Sequence, residues 1–117
     1  MLNETEIHQL AMKEVGEHLS SQGFVFLAVN SQLKKDPQFV CLKDNKLHFI
    51  VVRGCLYPDN PKKFDVQLMQ QVRDQGIKYK ATTYYAGVGF ANARDYEMSL
   101  TKNDSYAVNF DGLQIME

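Results

Sequence analysis

A chain of 117 residues that is 44% hydrophobic and 23% charged can bury one core without a metal or a disulfide framework, and it belongs to neither the disordered nor the fibrous classes. Its 13 Lys and Arg against 14 Asp and Glu give a net charge of -1, so a nucleic-acid partner would need a local basic patch rather than a general attraction. No apolar run approaches the ~20 residues of a membrane span and MLNETEIHQL lacks a basic-then-apolar leader pattern, so the expectation is one cytoplasmic domain over residues 1–117, with no membrane partner.

Asn3 followed by Glu6 has the pattern of a capping box, and Ile7, Leu10, Ala11, Val15 and Leu19 then recur as one helical stripe that Gly23 is placed to end. GFVFLAVN, residues 23–30, is dense enough in apolar side chains to predict a strand covered on most of both faces. After SQLKKDP, the runs QFVCLK and KLHFIVVR are joined by Asp44-Asn45, residue types that tolerate the positive φ of a tight turn, which predicts a β-hairpin. Along its second arm Leu47, Phe49 and Val51 point one way and His48, Ile50 and Val52 the other, so both faces are apolar apart from His48.

GCLYPDNP breaks the pattern. Asn60 is placed to cap, and Pro61 to open, a helix with Phe64, Leu68, Met69 and Val72 on its buried side and Gly76 as its stop. IKYKATTYYAGVGF, residues 77–90, predicts a long strand, and strand, helix and strand at this spacing imply a right-handed crossover between parallel neighbours. Residues 91–100 read as a short helix, and SYAVNFDGLQIM as a closing pair of strands turned at Asp111-Gly112. The expected class is α/β (α+β), in the order α, β, β, β, α, β, with a mixed sheet flanked by helices.

The stretch KKDPQFVCLKDNKLHFIVVRG, residues 34–54, sets a Pro-led pair at the opening of one apolar strand, a tight turn, and a second strand closing on a cation. With the elements that follow it to about residue 90, it resembles the core of the restriction-endonuclease-like, or PD-(D/E)xK, superfamily. The resemblance implies a site in which an acid opening one strand, with an acid and a Lys on the next, holds a divalent cation and steadies the attacking water. A hard cation needs anionic oxygens, and phosphodiester hydrolysis needs that cation. Carried over residue by residue, Pro37 keeps its place, Gln38 stands for the first acid, Val51 for the second and Arg53 for the Lys. A guanidinium keeps its proton and presents a planar fork, so Arg53 is no equivalent of a Lys.

Asp36 is the acid near enough to substitute, and one carboxylate makes a poor Mg²⁺ site; Glu14 and Glu17 on the first helix read more simply as a solvated face. The resemblance therefore implies a member of the fold without its nuclease chemistry: a non-catalytic binding or regulatory module, with a protein partner or a homodimer ahead of nucleic acid. A divergent metal-dependent nuclease using Asp36, a first-helix Glu and Arg53, or a nucleic-acid-binding protein, is the alternative.

Other candidates are weaker. Arg53 could bind an anion, pair with Asp36 or reach solvent, and His48 could serve a site on its sheet face or be satisfied by a neighbour. His8 and His18 are ten residues apart, roughly 80° out of line on an ideal helix, and make no metal pair. Tyr79 and Tyr85 on one face and Tyr84 on the other, interleaved with Lys78 and Lys80, could stack bases or anchor an interface, or be half-buried strand tyrosines. Lys34-Lys35 and Lys62-Lys63 read as solvated loops, and Cys41 and Cys55, outside any C-x-x-C pair, as buried reduced thiols. Gly87 and Gly89 mark a bulge or a place where another backbone packs close. No cofactor is implied, and a subunit role in an NADH-quinone reductase type of redox assembly finds no flavin, dinucleotide or cluster motif to support it.

Overall fold

A computed structural model describes residues 1–117. Helix α1, Glu4–Ser21, opens on the capping box: Asn3 Oδ1 accepts from the Glu6 N–H at 2.8 Å while Glu6 Oε1 accepts from the Asn3 N–H at 3.0 Å. Its buried stripe is His8, Ala11, Met12, Val15 and Leu19. Strands β1 (Val25–Val29), β2 (Phe39–Lys43) and β3 (Lys46–Leu56) form an antiparallel meander, and β4 (Ala81–Asn92) runs parallel to β3 from Leu47↔Ala81 to Leu56↔Phe90. Asp44 and Asn45 take φ of 53° and 63°, the pair of left-handed residues that a two-residue turn between β2 and β3 demands.

The alternation along β3 assigns its two faces to two helices. Ile50 and Val52 pack with α1, Val88 and Phe90, while Val51 and Tyr85 pack with Met69 of α2, Val66–Lys78. Val51, Ile50 and Val52 are fully buried, each transferring side chain worth about 1.5–3 kcal/mol out of water. The architecture is α+β: a mixed, open six-stranded sheet with a helix on each face, and no helix is long and apolar enough to cross a membrane.

Several expectations give way. β1 lies at the sheet edge with all five residues exposed rather than covered, because neither helix reaches across it. It carries a bulge, the register slipping by one between Phe26↔Cys41 and Ala28↔Val40. Helix α2 starts not at Pro61 but at Val66, where Asp65 Oδ1 accepts from the Leu68 N–H at 3.0 Å; Asn60 instead closes a local turn by accepting from the Lys62 N–H. Gly76 does not end α2. It lies inside the helix, where a Cβ would sit 2.7 Å from Thr83 Oγ1, so its smallness serves packing against β4. Tyr79 is therefore the C-cap and Lys80 a left-handed linker at φ 58°, and neither belongs to the strand. Residues 93–105 form turns rather than a helix, held by Asn92 and Asp95 side chains that accept from the Arg94 and Glu97 N–H groups. The last strands, β5 (Tyr106–Asn109) and β6 (Gln114–Met116), do not pair with each other; both run antiparallel to β4 and form one interrupted edge strand.

Candidate functional site

The last rung between β2 and β3 is Phe39↔Ile50, so β3 runs on past it with backbone groups that β2 no longer meets. Side chains meet them instead. Gln38, fully buried, accepts from the Val52 N–H at Oε1 (2.7 Å), and its Nε2 donates to Asp36 Oδ1 (2.8 Å). Arg53 lays its fork on the same carboxylate, Nη1 to Oδ1 and Nη2 to Oδ2 at 2.8 Å each, and Nη1 also donates to the Val52 carbonyl at 2.9 Å. Both backbone polar groups of Val52 are thus satisfied by Gln38 and Arg53, the residues that the resemblance would set in place of an acid and a Lys.

The Asp36 side chain is 9% exposed and that of Arg53 22%. Burial acts to raise the Asp36 carboxyl, but the hydrogen bonds from Arg53 and Gln38 and the Arg53 charge outweigh it and hold the group below its ordinary 3.8. On α1, facing this pair, His8 is 1% exposed with neither ring nitrogen hydrogen-bonded. The Ser31 carbonyl lies near the ring without reaching hydrogen-bond geometry; it accepts from the Gln9 side chain at 3.2 Å. Burial, and then the Arg53 charge, lower the His8 pKa, with Asp36 acting in the opposite sense, so the ring is neutral at pH 7.

Chemically the cluster is closed. Three donors occupy the two Asp36 oxygens, and nowhere in the chain do three His, Cys, Asp or Glu side chains converge as a metal would require. Val51, which the resemblance would set in place of the second acid, is fully buried against Met69 and Tyr85 and faces the helix α2 side.

The remaining candidates disperse. His48 is satisfied: Nε2 meets the Lys43 carbonyl at 3.4 Å, so it carries the proton, and Nδ1 takes the Tyr84 hydroxyl at 3.2 Å. Tyr85 is 4% exposed, stacks on Phe64 and donates to the Pro61 carbonyl at 2.8 Å, which withdraws it from any base-stacking surface. Lys80 is exposed and distant in the sheet from Arg53, at the opposite end of the parallel pair. The Pro61 carbonyl explains Gly87: a Cβ there would lie 1.9 Å from that oxygen, so the close backbone expected of the glycines is the 57–65 loop crossing β4. Cys41 is buried with its thiol pushed up to about 11, and Cys55 is half-buried rather than buried.

Two features escaped the sequence reading. His8 lies on the buried stripe, three residues before Ala11 and four before Met12, and that spacing was its signal. Gln38 was legible only as a missing acid, since nothing in the sequence marks an amide that replaces a strand rung. Neither curated proteins nor solved structures give a match to this chain. A family profile does: the chain belongs to the family described as domain of unknown function DUF8840, which matches it over residues 5–116.

Proposed function

We propose that the chain is a non-catalytic binding module built on a restriction-endonuclease-like core, whose former metal-binding corner now serves as a structural clasp. One observation carries the reading. The single acid at that corner, Asp36, is saturated by the Arg53 fork and the Gln38 amide, and Arg53 and Gln38 also complete the Val52 backbone. A carboxylate so engaged would have to break a bidentate ion pair before it could ligate a cation, and no second acid stands beside it to repay that loss. The element order and the antiparallel, antiparallel, parallel pairing of β1 to β4 support the kinship. The partner is a protein or a second copy of the chain, and the exposed apolar residues of β1 offer it side-chain contacts.

Isothermal titration with Mg²⁺ and Mn²⁺ tests the reading, with Asp36→Ala as control. No heat at millimolar metal is expected from either protein. Heat that disappears in Asp36→Ala would overturn the clasp and restore a metal-dependent nuclease.

A further inference from the structure

A cleft at the carboxyl ends of β3 and β4 shares no residue with the clasp. Its floor is fixed by sheet hydrogen bonds: the Tyr57 N–H, just past β3, donates to the Phe90 carbonyl at 2.8 Å, and Phe90 pairs with Val108 of β5. Above that floor the rings of Tyr57 and Tyr96 meet edge to face, centroids 5.5 Å apart and planes at 61°, each about half exposed (46% and 53%). A recess of about 360 Å³ opens on one side of this pair and one of about 180 Å³ on the other. The larger lies within the range of small-ligand sites, and carboxyl ends of strands are where open α/β sheets take their ligands.

The lining selects the ligand. Asp59 borders the larger recess and Glu97 the smaller, and no Lys, Arg or His side chain lines either. An anion in the larger recess would therefore meet the Asp59 carboxylate and no cationic side chain. A flat ring held between the tyrosines would need parallel faces about 7 Å apart, twice the usual ~3.5 Å contact, and 5.5 Å at 61° leaves no such slot. Two π faces meeting at a corner beside a carboxylate suit a positive charge on an alkyl frame, which a tyrosine face attracts within about 6 Å.

We propose that the Tyr57–Tyr96 cleft binds an organic cation, an alkylammonium or guanidinium group, with the ring faces holding its alkyl surface and Asp59 its charge. The proposal goes beyond the binding-module reading and stands apart from it, because metal titration at Asp36 and cation titration at this cleft report on different surfaces.

The test is titration of the full chain with choline chloride at constant ionic strength, followed by proton–nitrogen correlation spectra. Saturable shifts centred on Tyr57, Asp59 and Tyr96 are expected in the millimolar range, with the neutral tert-butyl isostere of choline at least about tenfold weaker. Tyr96→Ala and Asp59→Asn should each weaken choline about fivefold or more, while Tyr96→Phe, which keeps the ring face, stays within about twofold. Both positions are exposed, so an unchanged remainder of the spectrum certifies folding. A parallel titration with Nα-acetyl-lysine methylamide separates the sources: tighter binding than choline assigns the cation to a partner's side chain, and weaker binding to a free quaternary amine. Equal binding of the neutral isostere, shifts that map elsewhere, or no shift at ~100 mM would overturn the proposal.

Discussion

Asp36→Ala removes one member of the clasp: Arg53 Nη2 and the Gln38 amide N–H lose their acceptor, Arg53 Nη1 keeps only the Val52 carbonyl, and Gln38 loses the contact that orients its Oε1 toward the Val52 N–H. Breaking a buried ion pair costs about 3–5 kcal/mol, but Arg53 retains 22% exposure and can turn toward water, so about 2–3 kcal/mol is expected. At about 2.1 cal/mol/K of unfolding entropy per residue, a 117-residue chain loses about 4 °C in Tm per kcal/mol, hence about 8–12 °C. The assay is a thermal and urea double-mutant cycle with Arg53→Met, in which a coupling of more than about 1 kcal/mol is expected. The pH dependence follows from the depressed folded pKa of Asp36: its contribution is fully present above the unfolded value near 3.8 and is lost as pH falls through the lower folded value, so Asp36→Asn should flatten the stability curve there. An Asp36→Ala protein with unchanged or raised Tm would refute the clasp, since that is the signature of a residue kept for function at the expense of stability.

His8 has a folded pKa below its unfolded value, so the unfolded chain binds the extra proton and stability should decline as pH drops below about 6.5; His8→Leu should remove that decline and, by replacing unbonded ring nitrogens, raise stability at pH 7 by about 1 kcal/mol in urea titrations. Gly87→Ala should cost about 3 kcal/mol or more in the same assay, because the new methyl occupies the space of the Pro61 carbonyl; a loss under ~0.5 kcal/mol would mean that the 57–65 loop is free to lift. Asn45→Ala should cost about 1 kcal/mol and Asn45→Gly almost nothing, since only the backbone at φ 63° is being tested. Timed alkylation should find Cys55 reacting slowly and Cys41 reacting only when the chain unfolds, as their raised pKa values and burial require.

Local chemistry made much of this fold legible. The capping box at Asn3 and the turn at Asp44-Asn45 depend on residues no more than three apart, and both form as their local chemistry dictates. Coverage is different in kind. VFLAV reads as interior because its residues are apolar, yet whether a helix lies over a strand is decided by elements far along the chain, and here neither helix reaches β1. Gly76 and Pro61 show the same limit, each a residue whose local preference yields to a neighbour: Thr83 against Gly76, and the Tyr85 hydroxyl at the Pro61 carbonyl. The site followed this division. Motif spacing identified Asp36, Gln38, Val51 and Arg53 as positions of interest, while the bonds that join three of them across the end of β2 arise only once the meander is built.

The bulge in β1 bears on how readily a further strand could be added to the sheet. Its most exposed apolar segment is also an open sheet edge, the combination from which fibrils grow. One extra residue between Phe26 and Ala28 breaks the even spacing of outward N–H and C=O groups, so an incoming strand could match one half of β1 or the other but not both. The edge keeps its exposed apolar side chains while its backbone makes a poorer template for an added strand.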